Sequence, residues 1–104
     1  MGDSASIIDV IERWFISSRE SFDLAGIRCR FERSPANRPN ASCSLTLQCR
    51  TIEADLVAWE SGEAELAAGE VGGAVTQKHY GDLRNPDDLK GVLAEMISVL
   101  RADN

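Results

Sequence analysis

An alternating run in the middle of the chain constrains the fold most. From Cys43 to Arg50, apolar and polar residues follow one another without interruption. The apolar positions are Cys43, Leu45, Leu47 and Cys49. A period of two is typical of a strand that buries one face and exposes the other. The run therefore predicts a β-strand whose apolar face needs a core built by the rest of the chain.

Two segments with helical periodicity enclose this strand. Residues from about 6 to 22 carry apolar side chains every three or four positions, and Ser4 or Ser6 can cap the start of that helix. A last helix begins at Asn85-Pro86, where two acids follow an N-cap residue and a first-turn proline. Both helices are amphipathic, so each has one face to bury.

Four further short segments have the alternation and the bounding turn residues of strands. They cover residues 27–32, 53–60, 63–69 and 74–80, and a loop rich in proline and asparagine over 34–41 precedes the central strand. Two helices can cover only one face of one sheet. We therefore predict a single α+β domain over residues 1–104: a two-layer sandwich in which a meander of about five antiparallel strands carries both helices on one face.

The hairpin at Ser61-Gly62 admits two registers. A two-residue loop places Trp59 on the same face as Leu66. A three-residue loop ending in Gly62 places Ala58 on that face instead. The sequence leaves both registers open, and with them the choice between a core and a surface position for Trp59.

The composition argues against several classes of function. The net charge of -6 disfavours binding to nucleic acid or anionic membranes, which select basic surfaces. No apolar stretch has the length of a signal peptide or membrane span, so we expect a cytoplasmic protein. Three cysteines without a C-x-x-C pair and a single histidine predict neither a disulfide framework nor a metal site.

Catalytic groups do not converge in this sequence. His79 lies on a predicted strand near the sheet edge, and each cysteine lies on the apolar phase of a strand, where a free thiol behaves as a small hydrophobe. Gly72-Gly73 lacks the context of a phosphate-binding loop. We expect no enzymatic activity, no catalytic residue and no cofactor.

Charge is divided along the predicted sheet. Residues 27–50 contain five arginines and one glutamate, whereas residues 51–73 contain six acids and no base. This pattern fits cross-strand pairing for solubility, and it also fits an acidic docking surface for a basic partner with an aromatic anchor. The residues that would form the docking surface are Glu53, Asp55, Trp59, Glu60, Glu63 and Glu65.

Order and spacing over residues 40–100 add a family resemblance. Asn40-Ala-Ser42 is followed by the alternating strand, by Val57-Ala-Trp-Glu-Ser-Gly-Glu-Ala-Glu65, by His79-Tyr80 and by the last amphipathic helix. This order resembles the TriTu family of immunity proteins, whose members have a Trp-Glu-Ser-Gly turn at mid-chain and a His-Tyr pair before an acidic-capped last helix. The Gly-rich segment 69–74 is shorter than the family pattern.

The resemblance implies a role in competition between bacteria. The family neutralises ADP-ribosyltransferase toxin domains delivered by secretion systems, including type VI secretion and Rhs proteins, by obstructing the active or target-binding site. It implies a one-to-one complex with the cognate toxin domain, and by position it adds Ser61, His79 and Tyr80 to the residues for partner contact. A small acidic chain with a helix at each end is also similar to secretion-system chaperones that hold an effector segment, which is the alternative.

Overall fold

A computed structural model describes residues 6–35, 39–73, 75–83 and 85–101. The elements in chain order are α1 (Ile7–Leu24), β1 (Arg28–Arg33), β2 (Ser42–Cys49), β3 (Ile52–Trp59), β4 (Ala64–Glu70), β5 (Val75–Tyr80) and α2 (Pro86–Arg101). The predicted order of helix, five strands and helix is confirmed. The predicted cap Ser4, the middle of the 34–41 loop and the first residue of the 74–80 segment lie outside the described residues.

Helix α1 begins and ends where its sequence provides capping groups. The Ser6 hydroxyl accepts a hydrogen bond from the Asp9 N–H at 3.3 Å, which satisfies one of the free donors of the first turn. The helix ends at Leu24, and Gly26 adopts a φ of +77°, which lets the chain turn into β1. Serine and glycine thus set the limits of α1.

Helix α2 is capped as predicted. The Asn85 side-chain oxygen accepts a hydrogen bond from the Asp87 N–H at 2.9 Å. Asp87 and Asp88 lie in the first turn and Arg101 lies in the last, so the charges at both ends oppose the partial charges of the helix dipole. Both helices therefore carry stabilising groups at their starts, independent of tertiary packing.

The five strands form one antiparallel sheet in the order β1-β2-β3-β4-β5. Leu45 of β2 lies opposite Leu56 of β3, and Leu56 lies opposite Leu66 of β4. The helices pack on the side of the sheet that carries these leucines, α1 against β1–β3 and α2 against β2–β4. The predicted two-layer α+β sandwich with both helices on one face is confirmed.

The core lies between the helices and this inner face of the sheet. Its largest fully buried side chains are Ile11, Leu45, Leu47, Leu56, Leu89 and Met96. In the described part of the chain, no polar or charged residue is buried. Strand β5 is different, because five of its six residues are exposed and only Tyr80 is half-buried. The sheet therefore extends beyond the helix layer on the β5 side.

The hairpin between β3 and β4 has the three-residue loop. Ala58 lies opposite Ala64, and the Trp59 N–H donates to the Glu63 carbonyl at 2.9 Å. Gly62 adopts a φ of +104° and its carbonyl accepts a bond from the Leu83 N–H at 2.7 Å. A positive φ at the third loop position favours this register, so the two-residue alternative is excluded. Trp59 consequently lies on the sheet face opposite the helices.

Neither helix among the described residues combines the length and the apolar character that crossing a membrane requires.

Candidate binding surface

The outer face is the side of the sheet that the helices leave uncovered. Alternation of side chains along each strand places every second residue there. Across the strands, one row of this face consists of Arg30, Thr46, Asp55, Ala67 and Gln77. The next row consists of Glu32, Ser44, Val57, Glu65 and His79. Both rows run from β1 to β5, so the outer face spans the full width of the sheet.

The structure brings five of the predicted contact residues together on the outer face. They are Glu53, Asp55, Trp59, Glu65 and His79. The predicted residues Glu60, Ser61 and Glu63 form the exposed tip of the β3–β4 hairpin beside Trp59. Eight of the nine predicted residues therefore lie on one continuous side of the molecule.

Tyr80 lies apart from the others. It follows His79 on β5 and so points to the opposite side of the sheet. Its hydroxyl donates to Glu95 Oε1 of α2 at 2.9 Å, and Lys78 Nζ lies 3.3 Å from the same carboxylate. Burial, and then the bond to Glu95, raise the pKa of Tyr80. Through these contacts Glu95 ties α2 to β5.

The acids at the centre of the outer face are crowded together. Glu53 and Asp55 lie two residues apart on β3, and hydrogen bonding and repulsion between them raise the pKa of Glu53. Asp55 Oδ1 also accepts a hydrogen bond from the Thr46 hydroxyl at 2.7 Å. The free energy of this arrangement would fall if a positive charge approached the two carboxylates.

A shallow depression of about 240 Å³ lies beside these acids. Val57 and Ala67 contribute apolar surface to it, and Asp55, Glu65 and His79 line it as well. Glu65 Oε1 lies 3.8 Å from His79 Nδ1, and both side chains are more than half exposed. Sequence reasoning did not select Ala67 or Gln77, because their place on this face follows only from the register of β4 and β5.

The division of charge along the sequence becomes a division across the outer face. Arg28 and Arg30 lie on the edge strand β1, and polar residues of β2 separate them from the acids of β3. Within the described residues, no ion pair joins β1 to β3, and Arg30 instead pairs with Glu32 of its own strand at 3.3 Å. The charge of Arg30 nevertheless acts against the rise in the pKa of Glu53, so β1 neutralises the acidic centre in part and without a direct ion pair.

The cysteines are free and lie on the inner face. Burial raises the pKa of the Cys43 thiol to about 11, and burial also raises the pKa of Cys29. The raised pKa values keep the Cys43 and Cys29 thiols protonated and unreactive at neutral pH. The described residues include no group of three or more side chains placed to hold a metal ion.

Comparison with known proteins identifies the family. Neither the curated proteins nor the solved structures include a match to this chain. A family model described as immunity protein TriTu matches residues 9–99, from the first turn of α1 to the last turn of α2. The match covers all five strands, the Trp59 hairpin and the outer face. The chain therefore belongs to the TriTu family of immunity proteins.

Proposed function

We propose that the chain neutralises a cognate secreted toxin domain, an ADP-ribosyltransferase, by covering its active or target-binding site with the outer face. Membership of an immunity family makes a toxin the partner. The observation that carries the proposed mode of binding is the uncovered outer face, where Trp59 lies on the same strand as the acidic centre and no ion pair joins those acids to β1 among the described residues.

Charge and the aromatic ring have separate tasks in this mode of binding. Surface acids attract a basic partner over a distance and raise the association rate, with little effect on the dissociation rate. A tryptophan buried at the centre of an interface contributes to the lifetime of the complex. The repulsion between Glu53 and Asp55 adds a further gain, because a cation from the toxin relieves it on binding.

The proposed complex contains one chain and one toxin domain. The sheet of each chain has one uncovered face, so each chain offers one such docking surface. The chain acts by occupancy rather than by turnover, in the cytoplasm of a bacterium that is exposed to toxins from type VI secretion or Rhs systems. Activity of the toxin should then fall linearly with added chain and reach zero near an equimolar ratio.

The chaperone alternative needs a large apolar surface for dimerisation or for an extended effector segment. Large exposed apolar side chains among the described residues are Ile16, Leu24, Val71 and Val75. Ile16 and Leu24 lie on α1, whereas Val71 and Val75 lie together at the β4–β5 turn, so the four side chains do not form one patch. No observation favours the chaperone over the inhibitor.

The first experiment isolates the partner. The chain is purified from its native cell, the co-purifying protein is identified by mass, and that toxin domain is expressed and tested for NAD consumption. An equimolar complex in which NAD consumption stops supports the proposal. A homodimer that holds an unfolded segment, or an active toxin in the complex, contradicts it.

A second experiment tests the outer face by reversing charge. Glu63→Lys with Glu65→Lys should slow association with that toxin domain by about tenfold or more at low salt. The matched control is Glu20→Lys with Asp23→Lys on exposed positions of α1, which changes the net charge equally. Stopped-flow rates that fall equally in both variants would show that net charge, and not the outer face, directs binding.

Trp59 is tested through the dissociation rate. Trp59→Ala should raise the Kd for the toxin domain by roughly 10–100-fold, chiefly through faster dissociation. Trp14→Ala is the comparison, because Trp14 packs edge-on against Phe22 at 5.4 Å on the helix side of the molecule. An unchanged Kd in Trp59→Ala would place the interface elsewhere.

A further inference from the structure

The two edges of the sheet differ in how well they are protected. Edge strands normally avoid pairing with other chains by means of charged side chains, proline, bulges or a covering element. Strand β1 has such protection, because it carries three arginines and Arg33 reaches α1, where its guanidinium bonds to Asp9 at 2.6 Å and to Glu12. Helix α1 thus covers the β1 side of the sheet.

Strand β5 has less of this protection, because Lys78 is its only lysine or arginine and is paired with Glu95 of α2. Its first three residues, Val75, Thr76 and Gln77, are uncharged and exposed. The register with β4 runs without a bulge from Val75 to Tyr80, and the strand contains no proline. Helix α2 reaches this strand mainly through Glu95, which bonds to Lys78 and Tyr80. The edge of β5 is therefore a regular strand that is open on the outer face, while Lys78 and Tyr80 hold its inner face to α2.

The hydrogen-bond pattern identifies the free backbone groups of β5. In an antiparallel pair, the backbone groups of successive residues point alternately toward the partner and away from it. The backbone bonds Trp59–Glu63 and Val71–Thr51 show that the N–H and C=O groups of the odd-numbered residues of β4 point toward β3. Even-numbered residues of β4 therefore bond to β5. Their β5 partners in the register are Thr76, Lys78 and Tyr80.

The remaining residues of β5 present their N–H and C=O groups outward. These residues are Val75, Gln77 and His79. No backbone bond from the described residues reaches them on that side. Three residues in this arrangement offer three donors and three acceptors, which is the template that a further strand requires.

We propose that the β5 edge accepts an extended strand of the cognate toxin, which becomes a sixth strand of the sheet. This inference rests on the proposed function, because it takes the toxin as the partner. The edge borders the outer face, since Gln77 and His79 line the same depression as Asp55 and Glu65. A single partner can therefore pair with β5 and cover the acidic centre at the same time.

Charge favours a toxin strand over a second copy of this chain. Each copy carries a net charge of -6, so two copies repel one another. An added strand places alternate side chains on the outer face, next to His79 and within reach of Glu65 for a long side chain. The occupant we infer is a proline-free segment with lysine or arginine at those alternate positions.

Hydrogen exchange tests the backbone pairing directly. The amides of Gln77 and His79 should exchange rapidly in the free chain and at least about tenfold more slowly in the complex with the isolated toxin domain. The amides of Thr76 and Lys78 bond to β4 in both states and serve as the internal control. Unchanged exchange at Gln77 and His79 in a complex that has formed would overturn the proposal.

A pair of variants at one position separates backbone from side chain. Gln77→Pro removes the outward N–H and should weaken toxin binding by about tenfold or more, whereas Gln77→Ala keeps the N–H and should bind nearly as the parent does. Circular dichroism and thermal unfolding check that both variants fold. If Gln77→Pro does not fold, the exchange experiment alone decides.

The outcomes keep this inference separate from the proposed function. If the parent chain fails to bind and inhibit the toxin domain, the proposed function fails. If the parent binds and Gln77→Pro binds equally well, only the β5 pairing fails. If the free chain sediments as a dimer in which Gln77 is protected from exchange, the occupant is a second copy and the proposal is overturned.

Discussion

The same three central strands build two faces with different requirements. On the inner face, Leu45, Leu56 and Leu66 form a row that is buried by the helices. On the outer face, Asp55 and Glu65 take the alternate positions beside small apolar residues. Folding requires only the first pattern. The second pattern also brings Glu53 beside Asp55, and Arg30 of β1 offsets their repulsion only in part, which is a feature expected of a surface that meets a partner.

The largest expected difference between the faces is in stability. Leu56→Ala should lower the free energy of unfolding by about 2–5 kcal/mol, because Leu56 is fully buried and its removal leaves a cavity. Val57→Ala, at the next residue on the half-buried outer face, should cost under about 1 kcal/mol. Urea unfolding measures both. Equal losses would mean that the outer face also belongs to the folding core.

A second prediction concerns the loop that assigns residues to the two faces. Gly62→Ala should destabilise the chain by about 1–3 kcal/mol, since its φ of +104° is strained for any residue with a Cβ. Gly91→Ala, at an exposed position of helix α2, adds a methyl group that meets no atom within 4 Å and should stabilise the chain by roughly 0.5–1 kcal/mol. A harmless Gly62→Ala would indicate that the loop can relax without loss of register.

Acid should remove the stabilising contribution of the ion pair between Asp9 and Arg33, which lies at the rim of the inner face. The hydrogen bond from Arg33 lowers the pKa of Asp9 below its ordinary value of 3.8. A lowered pKa contributes stability above the unfolded-state value, and that stability is lost as the pH falls through the folded-state value. Both side chains are nearly half exposed, so the contribution is at most about 0.5–1 kcal/mol.

Asp9→Asn measures this contribution. Urea unfolding at pH 7 should show a loss in the variant, and the difference from the parent should shrink at pH values well below 3.8. A difference of constant size at all pH values would assign the effect to packing and not to charge.

The smallest expected effect on the free energy of unfolding is a gain, not a loss, and it comes from a substitution on the outer face. Asp55 raises the pKa of Glu53 above its ordinary value of 4.5. A raised carboxyl pKa costs stability once the pH rises through that pKa, and costs nothing in acid. Glu53→Gln should therefore stabilise the free chain at pH 7 by roughly 0.2–0.5 kcal/mol and leave it unchanged well below pH 4.5.

Glu53→Gln should also weaken toxin binding. Higher stability together with weaker binding would indicate that the acid is retained for the partner and not for the fold. Glu32→Gln is the control, because Glu32 pairs with Arg30 and has no carboxylate neighbour on its strand. If Glu53→Gln lowers stability, or leaves the Kd unchanged, the acidic centre is not maintained for a partner.

Periodicity in the sequence was enough to predict all seven elements and both layers. The β3–β4 register was not predictable, because Val57 and Ala58 are both apolar and either can face a core. The turn between β2 and β3 carries no glycine, asparagine or proline, and the chain turns there with Arg50 at a φ of +58°. Local preference thus located the strands, while tertiary packing selected between registers.

The site was predictable only in part for a related reason. Alternation already implies that His79 and Tyr80 point to opposite faces, but the partner of Tyr80 depends on where α2 crosses the sheet. The pairing of Arg33 with Asp9 joins residues that are far apart in sequence. The open edge of β5 follows from the whole topology, since no local pattern marks a strand as the last of a sheet.

The strand order has a consequence for how fast the chain folds after synthesis. Every strand pairs with its neighbour in sequence, so the sheet can form by successive hairpins with short closures. Chains rich in such local pairings reach the native state faster than those in which distant segments must meet first. An immunity protein benefits from this order, because newly synthesised copies acquire the sheet soon after release from the ribosome.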